Sequence, residues 1–316
     1  MVNRRVSIPA GFRLETQFGL LPSARKQYGV IIPEQLAANS RKTPARHAWL
    51  ESLPAMLKAL TERWSLSPDV PFDQASCSWV ASVVRADGTS AVLKLGMPHM
   101  EGAHEIEGLR FWNGDPTVRL LEADDDLGAM LLERCEPGDM LRSEPEWKQD
   151  EVIAALLKRL WRGSAPPNDL CRFRRLSEML EAWRSETLAQ VEQWPDAELV
   201  GEGLRVLEEL ARPSPTDLLL ATDLHAGNVL RSERQPWLVI DPKPFIGDVT
   251  YDLVQHLQNC ERRLHADPMG MIKRLADLAE VDFERLRLWT FARAAADPRE
   301  DWTNPIWMDI ARALAR

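Results

Sequence analysis

The chain has 316 residues, 48 of them acidic and 39 basic, for a formal net charge of -9. That balance disfavours nucleic-acid binding, which depends on a phosphate-neutralising basic surface, and no apolar run is long enough to span a bilayer. With 45% hydrophobic and 28% charged residues, the composition is that of a soluble globular protein, and the length predicts two lobes rather than a single core.

The opening "MVNRRVSIPAGFRLETQFGLL" is basic at its start but holds no uninterrupted apolar segment, so no signal peptide is expected. Cys77, Cys135, Cys171 and Cys260 are scattered and form no C-x-x-C, which points away from a zinc site or a disulfide framework. The expected setting is cytoplasmic and reducing. In "ARHAWLESLPAMLKALTERW", Trp49, Leu50, Leu53, Leu57, Leu60 and Trp64 recur at helical spacing. Pro54 lies inside that pattern and is expected to kink the helix or restart it.

Strand-like "SWVASVVR" and "SAVLKLG" flank "ADGT", where Asp87-Gly88 is a hairpin signal. A helix over "GAHEIEGLRFWNG" follows, stopped at Gly114. Two more strands are expected in "TVRLLEA" and "GAMLLERC", and "EPGDML" reads as a linker. From Trp147 onward helical periodicity dominates, broken by "PSPT" and by a second hairpin, "NVLR" and "PWLVID" around "SERQ". The fold class expected is α+β and two-lobed: residues 1–134 a small lobe with an antiparallel sheet and a helical extension over 1–70, residues 135–316 a larger helical lobe.

Within this frame "TDLHAGN" places Asp223 and Asn228 five positions apart, the spacing of a kinase catalytic loop. Phosphoryl transfer needs a carboxylate to align and deprotonate the acceptor hydroxyl and oxygen ligands to hold the metal on the phosphates. The hairpin returns Asp241 beside Asn228, and one carboxylate with one amide is a sufficient protein share for Mg2+. Asp and Asn are also ordinary turn residues, so the loop alone decides little. Upstream partners decide more. Lys94 stands on a strand after a hairpin, where a lysine grips the α- and β-phosphates, and the next helix offers Glu105 as its partner, with Glu107 in reserve. "HEIEG" lacks the second histidine of a zinc motif, and no G-x-S-x-G elbow occurs. His225 is expected to hydrogen-bond within its own loop rather than act as a base.

The ordered set of strand Lys, helix Glu, catalytic Asp, metal Asn and metal Asp resembles the aminoglycoside phosphotransferase family, in the branch that groups streptomycin 6-phosphotransferases with hydroxyurea-type antibiotic kinases. "VLKLGMP", "LRFWNGDPTVRLLEAD", "MLLERCEPG", "TDLHAGNVL" and "WLVIDPKPFIGD" through "YDL" carry the likeness, from about Ser76 to Asp252. The resemblance implies a kinase-like fold, ATP as donor with GTP open, and Mg2+ as cofactor. It further implies adenine contacts from the backbone at Glu133 to Cys135, and a buttressing role for Asp252. The family usually writes its loop H-G-D-L-H, whereas here Ala221 and Thr222 precede Asp223. A Gly-rich loop before Lys94 is absent, which argues against a protein kinase.

The expected activity is phosphorylation of a hydroxyl on a streptomycin-like aminoglycoside, or on a related cationic or sugar acceptor, giving antibiotic resistance. A kinase of another metabolite, or a pseudokinase supported by Ala221-Thr222, is the alternative. Glu261, Glu300, Asp301 and Trp302 are the candidates for a carboxylate-lined acceptor pocket. The opposing reading makes the acids a solvated face and the tryptophan core. Partners are a nucleotide and a small molecule, with neither nucleic acid nor membrane expected.

Overall fold

The computed structural model describes residues 25–27, 29–162 and 172–315. Residues 1–24 of the expected extension, and Cys171, lie outside them. Strands β1 (Arg25–Gln27) and β2 (Val30–Ile32) pair antiparallel and are followed by helices α1 (Glu34–Ser40) and α2 (Pro44–Arg63). Thr43 caps α2 by accepting from the Arg46 N–H, and Pro44 fits the first turn, where no N–H is needed. The helix passes through Pro54 as one element. Its apolar stripe explains this: Leu53 and Leu60 are fully buried, and tertiary packing outweighs the local cost of one proline.

The small lobe is a five-stranded antiparallel sheet ordered β3 (Ser67–Pro71), β4 (Ser78–Val84), β5 (Ser90–Gly96), β7 (Ala129–Glu133), β6 (Leu120–Asp124). The β4–β5 hairpin turns at Asp87-Gly88 as expected, with Gly88 at φ 82 and Asp87 Oδ1 accepting from the Thr89 N–H at 2.9 Å. Strand β3 is not expected from "SPDVP"; two prolines are tolerated because it is the edge strand, with a register shift between Pro68 and Pro71. Helix α2 packs on one face through Leu53, Leu57 and Leu60 against Leu93, Leu95 and Leu131. Helix α3 (Glu105–Trp112) covers the other, where Ile106 and Leu109 join Met130 and Leu132.

Below the sheet, the expected linker "EPGDML" is instead strand β8 (Pro137–Met140), paired with β10 (Val229–Ser232), which pairs in turn with β11 (Trp237–Val239). A separate two-stranded sheet joins β9 (Leu218–Leu220) to β12 (Phe245–Gly247). Around these pack α4 (Glu146–Arg162), α5 (Leu176–Leu188), α6 (Ala197–Leu210), α7 (Asp252–Asn259), α8 (Glu261–Ala266), α9 (Pro268–Ala279), α10 (Phe283–Ala296) and α11 (Ile306–Leu314). Their inward faces form one large core that includes Trp289, Tyr251 and Phe245. Arg234 bridges the lobes, donating from Nε and a terminal amino group to both Glu133 oxygens at 2.7 and 2.8 Å. The architecture is two-lobed and kinase-like. Among the described residues no helix is long and apolar enough to cross a membrane.

Candidate active site

Between the lobes lies a cleft of about 1140 Å³, lined by Lys94, Glu105, Asp223, Asn228, Asp241 and Lys243 among others. Lys94 sits mid-strand on β5, paired to Val80 and Met130, and is 6% exposed. Its Nζ donates to Glu105 Oε1 and to Asp241 Oδ1, each at 2.5 Å. Glu105 opens α3 and is 4% exposed, so it rather than Glu107 faces the lysine.

The β10–β11 register, Val229 opposite Val239, is extended by the Ile240 N–H donating to Asn228 O at 2.9 Å. Asn228 and Asp241 therefore stand at the same open end of the hairpin. Asp241 has φ 54, in the left-handed region that Asp tolerates better than most residues. Burial works against its charge, but Lys94 and Lys243 hold its carboxyl well below the usual carboxylate range. Asn228 donates from Nδ2 to Asp223 O at 3.0 Å, which turns its amide oxygen to other use. An amide oxygen beside a fully ionised carboxylate is the hard-oxygen donor set that suits Mg2+.

Asp223 lies in a turn so tight that its N–H donates to Ala221 O at 2.7 Å. Gln255 Nε2 donates to its Oδ1 at 2.8 Å. Burial pushes the Asp223 carboxyl up to about 6; Lys243 opposes the rise, while Asp241 and Glu101 add to it. His225 is pushed down to about 4 by burial and by Arg142, and its Nδ1 accepts from the Gly227 N–H at 3.0 Å. It is neutral at pH 7 and bonded within its loop.

The turn is held from beneath. Asp252, fully buried on α7, accepts from the Ala221 and Thr222 N–H groups at 3.1 and 2.6 Å and from Trp161 Nε1 at 3.0 Å. Thr222 has φ 47, a conformation that suits glycine and costs a β-branched residue about 1–2 kcal/mol. Its hydroxyl offsets part of that cost by donating to Lys243 O at 2.6 Å, and the Lys243 N–H returns a bond to Ala221 O at 2.8 Å. Thr222→Val keeps the shape and deletes the hydroxyl, leaving a buried carbonyl unpaired. It is expected to lower unfolding stability by about 1–3 kcal/mol, read from the urea midpoint, while Thr222→Ser is expected to retain most of it.

Lys243 and Gln255 are not anticipated from the sequence. Lys243, 8% exposed, donates to Asp241 Oδ1 and lies 4.0 Å from Glu105 Oε2. Its signal was a lysine two residues beyond a candidate metal ligand in "DPKP". Gln255 carries no motif; its only cue is a position three residues after Asp252, on the same helical face.

The remaining candidates are placed differently. Glu133 and Cys135 line the cleft, but the Glu133 side chain is committed to Arg234, and its N–H donates to Arg119 O at 2.9 Å. Burial pushes the Cys135 thiol up to about 11, so it is inert. Glu261, Glu300, Asp301 and Trp302 do not line the cleft. Glu300, 92% exposed at its side chain, pairs with Lys42 at 3.1 Å. Asp301 closes a turn on Thr303, and Glu261 begins α8. Trp302 is core, 4% exposed, with Nε1 donating to Gln190 and the Arg299 guanidinium 4.5 Å over its ring. Glu300 and Asp301 flank Trp302 in sequence; packing turns that tryptophan inward and leaves the two acids exposed.

The family model described as aminoglycoside/hydroxyurea antibiotic resistance kinase matches residues 63–299. Streptomycin 6-kinase of Streptomyces griseus is 36% identical, covering 91% of this chain and 98% of that protein. Hydroxyurea phosphotransferase of Kitasatospora aureofaciens is 38% identical over 79% of this chain and 73% of its own length. Among solved structures, choline kinase LicA from Streptococcus pneumoniae superposes with a TM-score of 0.58 at 15% identity, covering 83% of this chain and 99% of that one, a likeness of fold. The chain belongs to the aminoglycoside/hydroxyurea antibiotic resistance kinase family.

Proposed function

We propose that the chain transfers the γ-phosphoryl group of ATP, with Mg2+, to a hydroxyl of a cationic aminoglycoside-type acceptor, streptomycin first, and thereby confers resistance. The observation that carries this is the joined charge array in one cleft: Lys94 bonded to both Glu105 and Asp241, with Asp223 held on the adjoining loop.

In this reading Glu105 fixes the Lys94 ammonium, which holds the α- and β-phosphates. Asp241 and Asn228 would hold Mg2+, whose charge neutralises the phosphate oxygens when bound. Asp223 orients the acceptor hydroxyl and takes its proton as the new oxygen–phosphorus bond forms and the bond to the ADP oxygen breaks. In the same reading the backbone of Glu133 to Cys135, which lines the cleft, would contact the nucleobase, and the lobes would divide between residues 134 and 135. Glu101 supports a cationic acceptor: it lines the cleft, contributes to the raised Asp223 carboxyl, and has no hydrogen bond or ion pair among the described residues. The relative that phosphorylates hydroxyurea makes a small neutral acceptor the second candidate.

The test is a panel of streptomycin, other aminoglycosides, hydroxyurea and amino sugars incubated with ATP and Mg2+ and read by product mass. Phosphorylated streptomycin that disappears with Asp223→Asn is the expected result. ATP binding without transfer to any panel member would sink the proposed acceptor class.

A further inference from the structure

Gln255 and Arg293 form a chain of directed hydrogen bonds that ends on Asp223. Arg293, on α10, is 5% exposed, an expensive place for a guanidinium. It is held by Asp297, 2.9 Å from a terminal nitrogen, and lies 5.1 Å from the ring centres of Trp183 and Tyr251. Asp297 is fixed in turn by Gln258 Nε2 at 3.0 Å. From this anchored position Arg293 donates to Gln255 Oε1 at 3.2 Å, and Gln255 donates from Nε2 to Asp223 Oδ1 at 2.8 Å.

A glutamine amide alone has two orientations of nearly equal shape. Arginine has only donors, so its bond to Oε1 decides which end of the amide faces Arg293 and sends the NH2 toward Asp223. We infer that Arg293 and Gln255 are positioning residues that clamp Asp223 by Oδ1 and present Oδ2, whose one hydrogen-bond contact among the described residues is the long 3.5 Å approach of Asn228 Nδ2, to receive the acceptor proton. A buried arginine on a distant helix otherwise has no part in the cleft. The inference rests on the proposed role of Asp223. It adds which oxygen acts and what holds it.

Gln255→Glu separates positioning from packing. It keeps the volume and the bond to Arg293 but replaces the donor facing Asp223 by an acceptor. Phosphoryl transfer from ATP to streptomycin, and to water to give ADP and phosphate, are both measured, with ATP affinity by calorimetry and Tm alongside. Expected are a kcat lower by about 10²-fold, as for a displaced catalytic group, with unchanged ATP affinity and a cooperative unfolding transition retained although a second carboxyl now faces Asp223. Gln255→Ala and Arg293→Lys are then combined. In a single chain the double variant falls no further than Gln255→Ala alone, whereas independent residues give multiplying losses. A Gln255→Glu kcat within about threefold of the unaltered chain overturns the clamp, and so does multiplication in the double variant. Asp223→Asn tells the two failures apart: if it abolishes turnover while the Gln255 variants do not, only the clamp is wrong. If it does not, or if the unaltered chain turns over neither acceptor, the reading of Asp223 falls and takes the clamp with it.

Discussion

Asp223→Asn is expected to lower kcat by about 10²–10⁴-fold, the range of a positioned general base, with ATP affinity preserved. The substitution is isosteric and keeps the loop's shorter bonds, giving up only the long 3.5 Å contact from Asn228 Nδ2 to Oδ2. The Asn228 amide donates to the backbone carbonyl of residue 223, and an asparagine can still offer an oxygen to Gln255. What is lost is proton acceptance. The same residue sets the pH profile. Its carboxyl must be ionised to work, and burial raises it to about 6, so kcat/KM is expected to fall as pH drops through about 6. An unperturbed aspartate would place that limb near its ordinary value of 3.8. The stability effect has the opposite sense. Because the folded-state pKa is raised, this group's stabilising contribution is complete below 3.8 and is lost as pH rises toward 6. Asp223→Asn removes that loss, and its Tm at pH 7 is expected to equal or exceed that of the unaltered chain. A variant that is both inactive and markedly less stable at pH 7 would mean that Asp223 holds the loop together rather than serving the reaction.

The legible parts of the molecule are those in which neighbours in sequence are neighbours in space. Alternation along β4 and β5 and the Asp87-Gly88 turn make the first hairpin readable, and with it the place of Lys94 on a strand. The second hairpin brings Asn228 and Asp241 together over a short loop, which spacing alone suggests. Strand β8 is a different case. Its partner β10 lies some ninety residues away, and nothing in "EPGDML" favours a strand until Leu230 is opposite Met140. The β9–β12 pair is likewise long-range, yet it bounds the turn at Thr222 and Asp223. Lys243 and Gln255 stayed hidden because their importance is relational: one is defined by touching Asp241, the other by an arginine on α10. Trp302 shows the converse. Acids beside a tryptophan suit a cationic pocket or a core edge equally in sequence, and only the bond to Gln190 decides for the core.

Asp252→Ala is expected to cost about 3–5 kcal/mol of unfolding stability, the scale of breaking a buried charged network and a large part of a typical total. The carboxylate is the acceptor for three buried N–H groups, two of them in the peptide units of Ala221 and Thr222 that shape the left-handed turn before Asp223. Removing it leaves all three donors unpaired in a fully enclosed place, at about 1–3 kcal/mol each before relaxation. The carboxylate's own burial offsets part of this: it raises the group to about 6, the three hydrogen bonds notwithstanding. The raised folded-state pKa fixes the sign. The stabilising contribution is complete below 3.8 and diminishes as pH climbs toward 6, and the alanine variant lacks that decline. The destabilisation read from urea midpoints is therefore expected to be larger at pH 5 than at pH 7. Turnover is expected to fall as well, because a turn released from Asp252 no longer presents Asp223 to the cleft. An alanine variant as stable as the unaltered chain at pH 5 would mean that Thr222 Oγ1 and the Lys243 N–H hold the turn unaided, and that Asp252 is carried for the reaction at a cost to the fold.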